Sequence, residues 1–373
     1  MQSELTRLTA ESMQASAGKI DALTALVGPD AFVDEIIRVV SRRASATSYT
    51  AMSNITELGS RIVGAAGQST NIELIVDMVK LGGNGPIMAN ALAALGTGVT
   101  SVGPFGEGSI HPAFAEIAAR ARVVSLGDPA HTDALEFDDG KLMLGKLDPL
   151  LNVTWERMVE RIGDVDIKKL FTESSLVALV NWTMVPAMSD IWEMALALLA
   201  AAGGTKGTRF FFDLADPEKH DDAAVAAACR LLARFQEFGS TILGLNEKEA
   251  FRVGAALGYK GDTAGRDAVK AVAAMISSEL PIDTVVVHPR AYAVVASKGT
   301  VTADVDGPFT ENPLISTGAG DHFNAGFCLG KLIGLPDDQA ATAAVGTSGY
   351  YVRNAKSPSF AQLTEFLAQQ SAA

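Results

Sequence analysis

The chain has 373 residues, 48% hydrophobic and 20% charged, enough to bury a sizeable core in one large domain or two ordinary ones. A formal net charge of -13 argues against a nucleic-acid surface, which needs concentrated Lys and Arg; a phosphorylated ligand would have to be held by local dipoles and a metal. Cys229 and Cys328 lie far apart in apolar helical contexts and build neither a disulfide framework nor a zinc site, while the N-terminus lacks a signal-peptide core and the run IWEMALALLAAAGG is too short to span a bilayer, so a cytoplasmic protein is expected.

In chain order, residues 1–20 read as a helical extension of mixed polarity. Leu23–Val27 reads as a strand stopping at Gly28-Pro29. In NIELIVDMVKLGG, Ile72, Leu74, Val76 and Met78 fall on one side and Asn71, Glu73, Ile75 and Asp77 mostly on the other, the pattern of a half-buried strand. The strands around 46–80 are expected to form a small sheet projecting from the main body. PIMANALAALG then switches to a helical, Ala-rich pattern ending at Gly96. Beyond it, strand-like and helix-like segments alternate: VTSVGPFG, HPAFAEIAARA, RVVSLG, a hairpin around Asp139-Gly140, SLVALVNW, MSDIWEMALALLAAAGG, TRFFFDLAD, DDAAVAAACRLLARFQEFG, STILGLN, EKEAFRVGAALG, the pair DTVVVHP and AYAVVAS, and two closing helices. Such alternation predicts an α/β fold, a parallel or mixed sheet with helices on both faces. No GxGxxG follows the first strand, which weakens a dinucleotide-binding reading.

Four stretches carry chemistry. ISTGAGDHFNAGF places Gly318, Ala319 and Gly320 directly before Asp321 at the start of a helix. Amides at a helix start have no internal acceptor, and small residues let a phosphate approach them. Asp321 cannot be a further anion ligand and is suited to accept a proton from an attacking hydroxyl. Alone, the motif is also compatible with a capped helix after a glycine turn. In GLNEKEA, Asn246 and Glu249 stand three apart at a strand-to-helix junction, where Glu249 suits a hydrated Mg2+ through water and Asn246 suits water or phosphate; a helix cap is the alternative. In GGNGPIMANALAALG, Gly82, Gly83 and Gly85 allow a ligand close to the backbone and Asn84 offers an amide to hydroxyls, with a plain strand-to-helix turn as the alternative. In GPDAFVDEI, Asp30 and Asp34 follow the first strand, paired carboxylates fit to bond sugar hydroxyls or simply solvated turn residues.

In this order the four motifs resemble those of the ribokinase-like, or PfkB, carbohydrate kinases, over roughly residues 21–370. The resemblance implies a three-layer α/β/α sandwich with a small β lid. It implies transfer of the γ-phosphoryl group of ATP to a hydroxyl of a sugar or sugar derivative, with Mg2+. Asp321 would be the base, Thr317, Gly318, Ala319 and Gly320 the anion hole, and Asn246 and Glu249 part of the Mg2+ and phosphate site. Asp34, Gly82, Gly83 and Asn84 would face the substrate. Lid strands in this family commonly pair between subunits, so a homodimer is expected, covering the Ile72, Leu74, Val76 and Met78 face.

Two signature positions differ. The Asp that in relatives helps hold a monovalent cation is Ile315, which leaves potassium dependence open, and the Asn that often contacts sugar hydroxyls is Ile87. HPRAYAVV also stands where relatives commonly have a Gly-rich turn, and His288 and Arg290 are read as a surface hairpin, with an approach to the nucleotide or substrate as the alternative. Asn181 and Trp182 lie past a strand end and are read as pocket residues, with core packing the alternative for Trp182, while Asp213 and Asp216 are read as ligand-edge or turn residues. A nucleoside kinase of the same fold would carry a stacking aromatic in its pocket. A non-catalytic sugar- or nucleotide-binding relative would have no use for Asp321.

Overall fold

Short runs of buried, β-branched residues build the frame of the molecule. In the computed structural model, which describes residues 2–372, strands form at Thr24–Gly28 (β1), Phe32–Arg43 (β2), Tyr49–Ala51 (β3), Leu74–Gly82 (β4), Gly98–Gly103 (β5), Arg122–Ser125 (β6) and Ala130–Phe137 (β7). They continue at Gly140–Lys146 (β8), Leu176–Val180 (β9), Arg209–Asp213 (β10), Thr241–Leu245 (β11), Thr284–Val287 (β12), Tyr292–Ser297 (β13) and Thr300–Asp306 (β14). Among the described residues, nine of these make one sheet in the order β14-β13-β12-β11-β10-β9-β1-β5-β6. Neighbours from β12 to β6 are parallel, and β13 and β14 add an antiparallel edge.

LVALV, TILGL and TVVV are buried along their whole length, as parallel strands covered on both faces must be. Successive residues feed opposite cores: Phe210 and Phe212 join Trp192 and Leu26 on one side, while Phe211 joins Val27, Ala178 and Phe327 on the other. The fold is the expected three-layer α/β/α sandwich. Among the described residues, no helix is long and apolar enough to cross a membrane.

Two expectations change. The helix Gln2–Ala15, read as an N-terminal extension, packs into the body: Ala10 and Met13 are buried in the second core, and the helix lies against Phe360–Ala372. The lid is also larger than the span 46–80. It is built from β2, β3, β4, β7 and β8, with β4 and β7 flanking β2, and 55–64 within the expected span is a helix. The hydrophobic alternation of β2 and β7 recruits them: Ile37, Val39 and Leu135 share a small core with Met52 and Leu58.

A bulge opposite Ile36/Ile37 then breaks the single apolar face read in β4. Ile36 pairs with Met78 but Ile37 pairs with Val76, so Met78 and Lys80 turn to the face of Asp34, and Leu74 and Val76 stay on the other. Helices Ala319–Leu332 and Asp337–Asn354 cross closely, because a Cβ on Gly330 would stand 2.9 Å from the Cα of Ala340 and one on Gly326 2.9 Å from that of Ala344. This contact seats the helix that carries Asp321.

Candidate active site

The chemically interesting side chains gather at the carboxyl ends of the parallel strands, where open α/β sheets bind ligands. Asp30 follows β1, Asn181 follows β9, Asp213 ends β10, Asn246 follows β11 and His288 follows β12. The lid sheet brings Asp34, Lys80 and Lys141 to the same place.

Gly318 caps the helix Ala319–Leu332 at φ 92°, a left-handed conformation that disfavours a side chain. Asp321 falls in the first turn and is 7% exposed. The Asn84 amide donates to Asp321 Oδ1 at 3.0 Å and fixes the carboxylate. The turn is braced from behind. Tyr351 donates its hydroxyl to the Thr317 carbonyl at 2.9 Å, and the His322 ring stacks on Tyr351 at 3.6 Å. His322 Nδ1 lies 2.7 Å from the Gly318 carbonyl, which can only accept, so Nδ1 carries the proton and Nε2 accepts from Ser357 at 2.8 Å. Burial pushes His322 down to about 4, which keeps the ring neutral. From the lid, Lys141 Nζ donates to Thr317 Oγ1 at 2.7 Å.

Asp321 is held well above the usual carboxylate range, by burial first and then by the nearby charges of Asp213 and Asp30. Asp213 is raised by burial and by Glu249, and Glu249 mainly by burial. The site is therefore a crowd of buried carboxylates held high by burial and by the charge of their neighbours.

Asp30 is placed differently from its expected role. It is 0% exposed and accepts from the Asn84 amide at 3.0 Å, the Gly85 amide at 2.7 Å and Asn181 Nδ2 at 2.7 Å. It anchors the start of the helix Asn84–Ala94 and has no free face for a sugar hydroxyl. Asp34 is 5% exposed on β2, opposite Lys80 and Thr132. The glycines beside them also have another purpose: a Cβ on Gly82 would run into the Asp34 carboxylate, and one on Gly83 would stand 2.9 Å from Asp30 Oδ2. They clear space for carboxylates rather than for a ligand.

Asn246 and Glu249 form the reciprocal cap: Glu249 Oε2 accepts from the Asn246 amide at 2.8 Å, and Asn246 Oδ1 accepts from the Glu249 amide at 2.9 Å. Glu249 Oε1 also accepts from the Asp216 amide at 3.0 Å. Among the described residues no three acidic, His or Cys groups converge as a direct metal cage. Buried Asp213 and Glu249, with the unpartnered acceptor Asn324 Oδ1, instead fit a hydrated Mg2+ bonded through its waters. The capping and metal readings of Glu249 are thus compatible, since each oxygen keeps a second lone pair.

A cavity of about 320 Å³ opens on the far side of the glycine turn, lined among others by His288, Arg290, Phe309, Ala319, Gly320 and Phe323. His288 and Arg290, read as a surface hairpin, belong to its wall. His288 is neutral, pushed down to about 4 by burial, and its Nε2 has no partner. Trp182 packs on His220 and donates its indole N–H to Ser189, so it belongs to the core. Sequence reasoning passed over Lys80, Lys141, Asn324 and Tyr351 as neighbours of the site. The one available signal was a lysine at the end of an otherwise apolar register in β4.

Arabidopsis thaliana ribokinase complexed with ribose and ATP has a matching structure, at a TM-score of 0.64 and 16% identity, over 92% of this chain and 98% of that one. A putative ribokinase II of E. coli in complex with ATP and Mg2+ matches at 0.63 and 13% identity, over 93% and 99%. A ketohexokinase of Haloferax volcanii is 27% identical over 351 residues, 93% of this chain and 92% of that protein. Fold and comparisons together define an ATP-dependent carbohydrate kinase of the ribokinase fold. Within that class the chain belongs to the prokaryotic ketohexokinase family, whose model matches residues 4–370 and so takes in the N-terminal helix.

Proposed function

We propose that this chain transfers the γ-phosphoryl group of ATP to a hydroxyl of a ketohexose, with Asp321 as general base. The observation that carries this reading is the buried Asp321 carboxylate, oriented by Asn84 in the first turn behind Gly318-Ala319-Gly320. Asp321 takes the proton of the acceptor hydroxyl. The hydroxyl oxygen bonds to the γ-phosphorus as its bond to the bridging oxygen breaks, and ADP leaves. Thr317, Gly318, Ala319 and Gly320 supply the anion hole, through first-turn amides that lack helical acceptors. Asp34 and Asn84 bind the sugar. Glu249, Asp213 and Asn324 would hold the waters of a Mg2+ ion, with Asn246 beside them for water or phosphate, and the ion would supply neutralisation of phosphate charge. The cavity beside His288 and Phe309 suits the nucleotide, with an apolar wall for the base.

The ketohexose assignment draws on the family's description and the Haloferax volcanii relative. A nucleoside acceptor needs an aromatic shelf, and Trp182, read as either a pocket or a packing residue, is 7% exposed and packed in the core. The test is ATP consumption with Mg2+ against ketohexoses, aldoses, sugar acids and nucleosides. Fructose or another ketohexose is expected to give the highest kcat/KM. A clear preference for a nucleoside would overturn the assignment. Potassium is a variable of the same assay, since Ile315 offers no side-chain oxygen to a monovalent cation.

A homodimer through the lids is part of the proposal. Leu74 and Val76 are 43% and 46% exposed on one lid face, and Met78 and Met143 56% and 48% on the other. Light scattering is expected to return twice the chain mass of 38.9 kDa, and a monomer at micromolar concentration would remove this part of the reading.

A further inference from the structure

Lys80 is an odd residue to find beneath a lid. It is half-buried on β4, opposite Asp34, yet its ammonium makes no hydrogen bond or ion pair among the described residues. Unpaired ammonium groups are rarely sequestered, because losing water is costly without a compensating anion. Burial and the neighbouring Lys141 both disfavour its charge, while Asp34, Glu136 and Asp321 favour it. Lys141, on β8 opposite Glu136, forms no ion pair either and spends one donor on Thr317 Oγ1 at 2.7 Å. Two lid cations, with Asp34 beside Lys80 on the lid, thus stand over a floor of buried carboxylates, Asp213, Glu249 and Asp321. Such a floor repels an incoming triphosphate. Positive charge arriving from above at the moment of closure would offset that repulsion where it matters most.

We propose that Lys80 and Lys141 are phosphoryl-binding residues, a cationic clamp delivered by the lid onto the transferring group and onto the phosphate ester it becomes. This rests on the kinase reading above. Lys141 links the two halves of the device. Its bond to Thr317 ties β8 to the anion hole, so closing the lid and completing the phosphoryl site are one event. Lys80 stands on the sugar side, beside Asp34, where the product phosphate will be attached to the acceptor.

The test compares wild-type protein with Lys80→Met, Lys141→Met and the charge-retaining Lys141→Arg. Steady-state kcat and KM for sugar and ATP are measured, with the melting shift given by unphosphorylated sugar and inhibition by the phosphorylated product. Each Met variant is expected to lose about ten- to a thousand-fold in kcat. The sugar-induced melting shift should persist, product inhibition should weaken in parallel, and Lys141→Arg should recover most of the rate. Wild-type kcat in both Met variants, or an effect confined to the KM for sugar, would overturn the clamp and leave the kinase reading standing. A wild-type protein that phosphorylates none of the sugars would instead overturn the kinase reading itself. Melting curves of the free variants guard against misfolding; if the Met variants unfold, Lys80→Gln and Lys141→Gln carry the same comparison.

Discussion

Asp321→Asn is expected to lower kcat by roughly a hundred- to ten-thousand-fold while the sugar still binds. The replacement is nearly isosteric. Its Oδ1 can still accept from Asn84, so the helix start and the glycine turn keep their geometry, and what disappears is the proton acceptor. The same variant is expected to melt at a higher temperature than wild type at pH 8. Burial, Asp213 and Asp30 raise the folded-state pKa of Asp321, so protonation favours the fold. Its contribution is fully present below the ordinary carboxylate range and is lost as pH rises through the raised folded value. Asn mimics the protonated form at every pH, so the gain in melting temperature should be largest at high pH and close as pH falls. Activity runs the other way. The base must be ionised, so wild-type kcat/KM should fall on acidification through the raised pKa, beginning at a higher pH than for a free aspartate. Near-wild-type turnover by Asp321→Asn would exclude this residue as the base and leave the anion hole in search of another.

Much of this site was legible because its demands are local. A helix start that binds an anion needs small residues in sequence, and STGAGD supplies them within six positions. The same holds for the reciprocal cap of Asn246 and Glu249. The strand ends were legible too, since LVALV and TVVV stop where polar residues begin. The lid was not, because its pairings join distant segments: β2 finds β4 some forty residues on and β7 about a hundred on. The bulge beside Ile36 and Ile37 has no residue signature of its own, yet it moves Met78 and Lys80 to the site face. The N-terminal helix looked like an appendage because the helix it lies against, Phe360–Ala372, is at the opposite end of the chain. Asp30 and Asp34 are alike in sequence. Only depth separates them, the first enclosed by three donors and the second left with a face toward the lid lysine.

That difference in depth makes Asp30→Ala the variant with the largest expected effect on stability, a loss of roughly 3–5 kcal/mol. Three donors, the amides of Asn84 and Gly85 and the side-chain amide of Asn181, would lose their acceptor where water has no ready access. Asp30→Asn should fall between, since it keeps one acceptor oxygen but turns an NH2 group toward a neighbouring donor. Burial pushes the Asp30 carboxyl up to about 6, so its contribution to stability is complete below the ordinary carboxylate range and declines as pH rises through about 6. The alanine variant lacks that slope, and the gap in unfolding free energy should be wider at pH 5 than at pH 8 in chemical denaturation. Whatever protein remains folded should also turn over slowly, because the Asn84 backbone that Asp30 holds carries the side chain that orients Asp321. Loss of rate would then follow loss of position, with kcat falling more than sugar affinity. An alanine variant with wild-type stability at both pH values would mean that water replaces the carboxylate in full, and Asp30 would no longer count as the anchor of this helix.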